Sequence, residues 1–428
     1  MRKLRRNKEP DYKLLKKLSI LKPDVIHTPT GFPIYLLPIQ DQEIVKIDFV
    51  FNAGDYYASQ ALTSLSTLSM LQEGSLTQNG EEIAERLDFL GSFISCSSTK
   101  DKAVVSLCSL EKHLAESVKI VTDFILNPSF PEENFTTHLL KRKERYKIDI
   151  ERVEVLSQKK LAQVLFGSEH PYGRSCRIED FSSITRNDLI QFHADNYIAE
   201  NLKIVLCGNL KSNEVKNIIK YLSTLPIKTS NKQRNNKDYQ IISDVEHKHF
   251  IAKDNAVQAS INIGKIMVNR THKDYVPLQV LNTVLGGYFG SRLMTSVRED
   301  KGYTYGIGSG IISYENSGYF IITTRVGKDV VQPALEAIYH EINRLRTESI
   351  PQEELDMVKT YMLSTLVRNF DGALATSEML RNTFDYNIDF YKYYQQFWSH
   401  IKKVQTKELQ QLANDYFNEN SMYEIVVG

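Results

Sequence analysis

Apolar and polar positions along the chain fall into blocks whose period alternates between that of a strand and that of a helix. Gly31 to Pro38 and Ile44 to Phe51 predict early strands, the second with largely alternating apolar residues. A helix is predicted from Ala61 to Gln72, stopping near Gly74, and another over Glu81 to Leu90, closed by Gly91. A hairpin follows, with Ser92 to Ser98, a turn at Thr99 to Lys102, and Ala103 to Leu110 on the return. Glu111 to Leu126 predicts an amphipathic helix that ends at the breaker Asn127-Pro128, and one long helical stretch runs from Glu132 to about Leu165. Glu200 to Gly208 predicts a buried strand, and Glu214 to Leu225 a helix.

Between Pro226 and Tyr239 the pattern stops, and lysine, asparagine, serine and arginine replace the apolar period, which marks a linker. The same order then begins again. Val257 to Lys265 predicts a strand, Tyr275 to Leu285 a helix, Gly286-Gly287 a break, and Ser291 to Val297 a second helix. The hairpin Tyr305 to Tyr314 and Gly318 to Arg325 follows, then long helices over Val331 to Arg346, Pro351 to Asn369 and Lys407 to Phe417, and a last strand, Met422 to Val427. Two halves with matching order predict a duplicated α+β unit. The expected division is 1–228 for the first domain, 229–248 for the linker and domain start, and 249–428 for the second domain.

Length agrees with that division, since 428 residues exceed one compact core. A net charge of +1 gives no reason to expect nucleic acid or an anionic membrane as partner. The basic opening MRKLRRNKEPDYKLLKK is followed by no apolar run, so neither export nor a membrane span is expected. Cys96, Cys108, Cys176 and Cys207 are widely spaced without a CxxC pair, which argues against a zinc ribbon or a disulfide framework and for a reducing, cytoplasmic setting.

Candidate chemistry from residue patterns alone is thin. His247 and His249 form an HxH pair that would share one strand face, but a polar strand start after the linker is the preferred reading. His340-Glu341 opens an HExxH-like string that fails at Arg344. Gly286-Gly287-Tyr288-Phe289-Gly290 lacks the lysine of a phosphate loop and reads as a flexible turn into a helix. The tyrosines at 386, 391, 393 and 394 near Trp398 suit one buried helix face, with an interface patch as the other reading.

Four stretches resemble the pitrilysin/insulinase metallopeptidase family: SMLQEGS with LDFLGSFISCSS behind it, His170-Pro171-Tyr172-Gly173-Arg174, LGGYFGSRLMTSVREDKGYTY over Leu285 to Tyr305, and the closing long helices with their short strand. The resemblance implies an α+β fold of two homologous domains, each a mostly antiparallel sheet flanked by helices, forming half of a clamshell. Active members bind zinc through His-x-x-Glu-His on one helix, so that both histidines reach one metal and the glutamate serves as general base. Aligned on Gly74-Ser75, those positions are Leu65, Leu68 and Ser69, and no histidine occurs between His27 and His113. The family's further glutamate would fall near Glu144 to Tyr146, with Glu144 as its candidate. No metal is therefore expected in this chain.

Arg298 and Tyr305, seven residues apart, match a pair that the family uses to reach substrate held at the zinc. A guanidinium can bind a peptide carbonyl and a phenol can donate to a developing oxyanion. The competing reading is an arginine paired with Glu299 or Asp300 and a strand tyrosine packed on its sheet, with Tyr303 as a rival phenol. The resemblance implies a non-catalytic subunit, inactive alone, in a heterodimer with a homologous zinc-bearing chain, acting on peptides. A scaffold or a peptide-binding homologue without a peptidase role is the alternative. Ser92 to Ser98 offers either an edge for an extended peptide or an ordinary packed strand.

Overall fold

The computed structural model describes residues 17–40, 42–230 and 239–428. The centre of the segment read as a linker, 231–238, and residues 1–16 of the basic opening lie outside them.

Two sheets carry the fold. The first contains β1 (Asp24–His27), β2 (Pro33–Pro38), β3 (Ile44–Phe51), β4 (Phe93–Ser98), β5 (Ala103–Leu110) and β6 (Leu202–Gly208), in the order β1-β2-β6-β3-β5-β4. The second contains β7 (Lys248–Ile251), β8 (Gln258–Met267), β9 (Ile307–Ser313), β10 (Gly318–Gly327) and β11 (Tyr423–Val427), in the order β7-β11-β8-β10-β9. The pairs β2–β6 and β7–β11 are parallel and the other ladders antiparallel. Apart from β1, the two sheets thus share strand order and strand direction, as a duplicated unit requires.

In the first half the helices are α1 (Thr63–Met70), α2 (Gly80–Phe89), α3 (Leu114–Leu126), α4 (Glu132–Asp149), α5 (Val153–Phe166), α6 (Asp180–Ser183), α7 (Arg186–Asn196) and α8 (Asn213–Ser223). In the second they are α9 (Tyr275–Gly286), α10 (Val331–Thr347), α11 (Gln352–Arg368), α12 (Gly372–Arg381), α13 (Phe390–Lys403) and α14 (Thr406–Tyr416). A π-helical turn, Met294–Asp300, stands where a short second helix was predicted. Local chemistry sets several boundaries. At α2, Asn79 and Glu82 form a reciprocal capping box, and Gly91 closes the helix at φ +60°.

The stretch predicted as one helix from Glu132 is two, broken at Ile150–Arg152. The break separates segments that pack on different partners. Helix α4 leans on α1, while α5 crosses to the second sheet, where Leu161, Val164 and Leu165 pack against Tyr423, Ile425 and Val427 of β11. Ser157 of α5 lies 2.7 Å from the Ser260 hydroxyl and accepts a 2.7 Å hydrogen bond from the Asn262 amide, so this contact also satisfies buried polar groups.

The second half returns the exchange. Leu380 of α12 and Phe390, Tyr394 and Trp398 of α13 cover the outer face of the first sheet, against Leu37, Val50, Val205 and Cys207. The tyrosine-rich stretch is therefore mainly a buried helix face. It also explains why β3 departs from simple alternation. Val45, Ile47, Phe49 and Phe51 face the first half's own core, while Lys46 and Asp48 on the opposite face are buried as well. Lys46 pairs with Asp48 at 3.2 Å and with Glu378 of α12 at 2.6 Å, and Arg381 stands 3.5 Å from Asp48. Lys102 pairs with Asp385 at 2.6 Å in the same layer. Buried charges of this kind persist only when paired.

Candidate functional site

In the first half, α1 presents the positions where a metal-binding member would hold its ligands. Leu68 is buried in the core and Leu65 and Ser69 are half-buried. The Ser69 hydroxyl turns back along its own helix and donates to the Leu65 carbonyl at 2.8 Å. Facing α1 is the stripe of α4 that carries Phe135, His138, Arg142 and Tyr146, as helical spacing places them. His138 Nε2 lies 3.3 Å from the Ser66 hydroxyl, which fixes this approach. Glu144 lies on the other side of α4, exposed and paired with Lys147 at 2.6 Å, so it does not take the position suggested for it. Tyr146 points inward instead. Its hydroxyl donates to the Cys176 carbonyl at 2.6 Å and accepts from Lys159 at 2.7 Å.

The donor set does not fit zinc. Leucine offers no lone pair, the Ser69 hydroxyl is committed to backbone, and the stripe of α4 that faces α1 adds a single histidine, His138, beside an arginine. Among the described residues no group of three or more His, Cys, Asp or Glu is arranged to hold a metal ion.

The His170–Arg174 turn serves as a clamp. His170 Nδ1 accepts from the Tyr172 backbone N–H at 3.1 Å, and the Arg174 guanidinium donates to the carbonyls of Asp55, Ala58 and Ser59. Tyr172 donates to Asp101 at 2.6 Å, and Asp101 accepts from the Glu315 N–H at 3.0 Å. Asp101 thereby ties the turn after β4 to the tip of the β9–β10 hairpin. Burial pushes its carboxyl up to about 6.

In the second half, α9 ends against β9. A Cβ on Gly286 would lie 2.7 Å from the Ser309 backbone nitrogen, so close approach, rather than flexibility, requires this glycine. The chain then passes through Phe289 and the π-helical turn to the start of β9. Arg298 sits in that turn, half-buried, with its guanidinium carbon 4.8 Å from the centre of the Phe289 ring. It makes no ion pair with Glu299 or Asp300, nor any hydrogen bond among the described residues. Tyr303 packs partly into the core and donates its backbone N–H to the Val297 carbonyl at 3.1 Å. Tyr305 is 93% exposed. Thr304 between them pins the segment by donating to the Arg325 carbonyl at 2.7 Å. Phe289 was not singled out from the sequence, because an aromatic beside glycines carries no signal of what it will stack on.

The remaining candidates resolve into ordinary structure. His247 stacks on Tyr423 with ring centres 4.4 Å apart and lies 3.1 Å from the Met422 carbonyl, while His249 Nε2 lies 2.9 Å from the Glu246 carbonyl. His340 stands on α10 in a cleft of about 530 Å³ lined also by Glu336, Glu419 and Glu424. Strand β4 is an edge strand, paired only with β5 among the described residues, and its outward residues Phe93, Ser95 and Ser97 are exposed. No helix among the described residues is long and apolar enough to cross a membrane.

Two family models match the chain. One, "Insulinase (Peptidase family M16)", covers residues 37–173, and the other, "Peptidase M16 inactive domain", covers residues 183–362. Similar proteins include the "Uncharacterized zinc protease YmxG" of Bacillus subtilis, 25% identical over 73% of this chain and 75% of that relative. The "Uncharacterized zinc protease" of Rickettsia bellii is 23% identical over 89% of this chain and 92% of its own length. The "Probable inactive metalloprotease YmfF" of Bacillus subtilis is 24% identical over 47% of each chain. Among solved structures, a protease from Helicobacter pylori superposes with a TM-score of 0.86 at 15% identity, over 96% of this chain and 100% of that one. A peptidase M16 inactive domain from Pseudomonas fluorescens gives 0.84 at 23% identity, over 95% and 98%. With its duplicated sheets and the two family models that span most of it, the chain belongs to the insulinase (M16) peptidase family.

Proposed function

We propose that this chain is the non-catalytic subunit of a zinc metallopeptidase heterodimer and contributes Arg298 and Tyr305 to substrate binding. One observation carries the reading. Among the described residues the first half has no ligand set for a metal, while the second half keeps a guanidinium, stacked on Phe289, and an exposed phenol that make no hydrogen bond or ion pair. An arginine fork without a partner is suited to a peptide carbonyl, and an exposed phenol to a developing oxyanion. A scaffold would gain nothing from leaving both groups unpaired. In the assembled enzyme the zinc belongs to the homologous partner chain, and Arg298 and Tyr305 reach the peptide held there.

The test is gentle purification of the tagged chain from its own cells, followed by native mass spectrometry and a peptide-cleavage assay. A one-to-one complex with a second chain of similar size that carries one zinc is expected. Arg298→Ala in that complex should slow cleavage by about tenfold or more without loss of assembly, the scale of one lost charge-assisted hydrogen bond. A chain purified alone with no cleavage activity, or unchanged turnover in Arg298→Ala, would reject the role.

A further inference from the structure

Phe289, the ring beneath Arg298, has little of its own to hold it. It is 66% exposed, and none of the buried apolar clusters among the described residues includes it. Its described ring contact is the Arg298 guanidinium. A ring that buries so little surface inherits its place from the backbone on either side.

Both sides are fastened to α11. Arg292, three residues on, donates to Glu354 with Nε 2.9 Å from one carboxylate oxygen and Nη2 2.8 Å from the other. On the near side, the Tyr288 ring centre stands 5.0 Å from that of Tyr361, and its hydroxyl reaches Met357 Sδ at 3.7 Å. Glu354, Met357 and Tyr361 recur at helical spacing, so one face of α11 receives the whole segment.

The two fastenings differ in kind. Met357 and Tyr361 are exposed, so the Tyr288 contact excludes little water. Arg292 is buried, and Glu354 is its ion-pair partner among the described residues. Its Nη1 is sealed from solvent without a hydrogen bond. A buried guanidinium in that state depends on the carboxylate it has, and a two-point contact fixes the plane of the fork as well as its distance. The apolar side of the π-helical turn, Leu293, Met294 and Val297, packs into the second core without any charge. The ion pair therefore governs the stretch before the turn, where Phe289 lies.

We infer that Glu354 is a positioning residue for the Arg298 site: through the Arg292 fork it holds Phe289 beneath the Arg298 guanidinium. Its own hydrogen bonds go to Arg292, so it acts on the site only through that fork. Its effect on peptides rests on the role proposed for Arg298, whereas the placement of Arg298 is read in the chain alone.

The test uses the full chain labelled with ¹³C-arginine. The δ-methylene signal of Arg298, assigned by its loss in Arg298→Lys, is displaced by the ring current of Phe289. Its position in Phe289→Ala gives the value without the ring. Glu354→Gln should carry the signal at least about half of the way to that value, as the ring leaves its fixed place under the cation. Glu378→Gln, which removes the partner of buried Lys46 in the other half, should leave the signal in place whatever it does to the melting temperature. Arg292→Met with Glu354→Met removes the buried charge together with its partner, a change that folded proteins tolerate, and should move the signal as Glu354→Gln does. A signal that stays in place in both Glu354 variants, or moves as far in Glu378→Gln, would overturn the inference. In the proposed heterodimer Glu354→Gln should raise KM about two- to fivefold with kcat little changed, and should add nothing to Phe289→Ala, since both act through one contact. Additive rises in KM would also overturn it. A displaced signal with unchanged KM would uphold the positioning and reject the role given to Arg298.

Discussion

The corner formed by α1, α2 and β4 in the first half occupies the same place in its sheet as the corner of α9, the π-helical turn and β9 in the second. The two treat their polar positions in opposite ways. In the first, the positions that would face a metal have been drawn into packing: Leu68 is buried and the Ser69 hydroxyl bonds its own helix. In the second, Arg298 rests on Phe289 with its N–H groups unclaimed, and Tyr305 stands in solvent. Duplicated units start with the same architectural options. Once a corner no longer serves chemistry, core packing can absorb its side chains, whereas a corner that keeps exposed, unpaired groups gives up stability that only binding returns.

The largest effect should come from forcing the first corner back. Installing Leu65→His, Leu68→Glu and Ser69→His together should not create a tight zinc site, because the glutamate would enter the core at Leu68. The loss should be about 3 kcal/mol or more of stability, read from denaturant melts with and without zinc. Stoichiometric zinc in a well-folded variant would break the contrast between the corners.

Acid should weaken the first half next. His138 and His193 are both pulled down from 6.5 to about 4, chiefly by burial. Between those pH values the unfolded chain takes up protons that the folded chain refuses, so stability present above pH 6.5 is lost as pH falls toward 4. At pH 5 the loss should be on the order of 2 kcal/mol per histidine. A flat profile from pH 7 to 5 by denaturant melts would contradict it, and His193→Gln should flatten the curve in part.

A smaller effect sharpens the second corner. Phe289→Ala removes the ring beneath Arg298 and should raise KM of the proposed heterodimer about two- to fivefold with kcat little changed, since an exposed cation–π contact contributes about 0.5–1 kcal/mol. Phe289→Tyr should restore it, whereas a Tyr variant as impaired as Ala would show that the ring does not orient the arginine. Smallest of all should be the stability change in Tyr305→Phe, within about 0.5 kcal/mol, because the exposed phenol has no partner to lose. A larger fall in melting temperature would mean that the second corner is as structural as the first.

Much of this was legible in the chain. The repeated order of strand, helices and hairpin matches two sheets with the same strand order, and the spacing around Gly74-Ser75 placed Leu65, Leu68 and Ser69 on the helix that lacks ligands. The break at Ile150–Arg152 was not legible, because helical period continues through it and only the separate partners of α4 and α5 reveal the turn. Lys46 and Asp48 were equally opaque. On sequence they mark the polar face of β3, and they are buried because α12 arrives from the other half with Glu378 and Arg381.

By itself, then, the sequence determined the duplicated α+β unit, the absence of zinc ligands on α1 and the spacing of Arg298 and Tyr305, because these rest on local period, residue identity and short separations. The tertiary structure alone decided that each half lends helices to the other's sheet and that Phe289 lies beneath Arg298. A local pattern states that a face will be buried or a charge placed, but which distant segment covers or neutralises it is settled only by long-range packing.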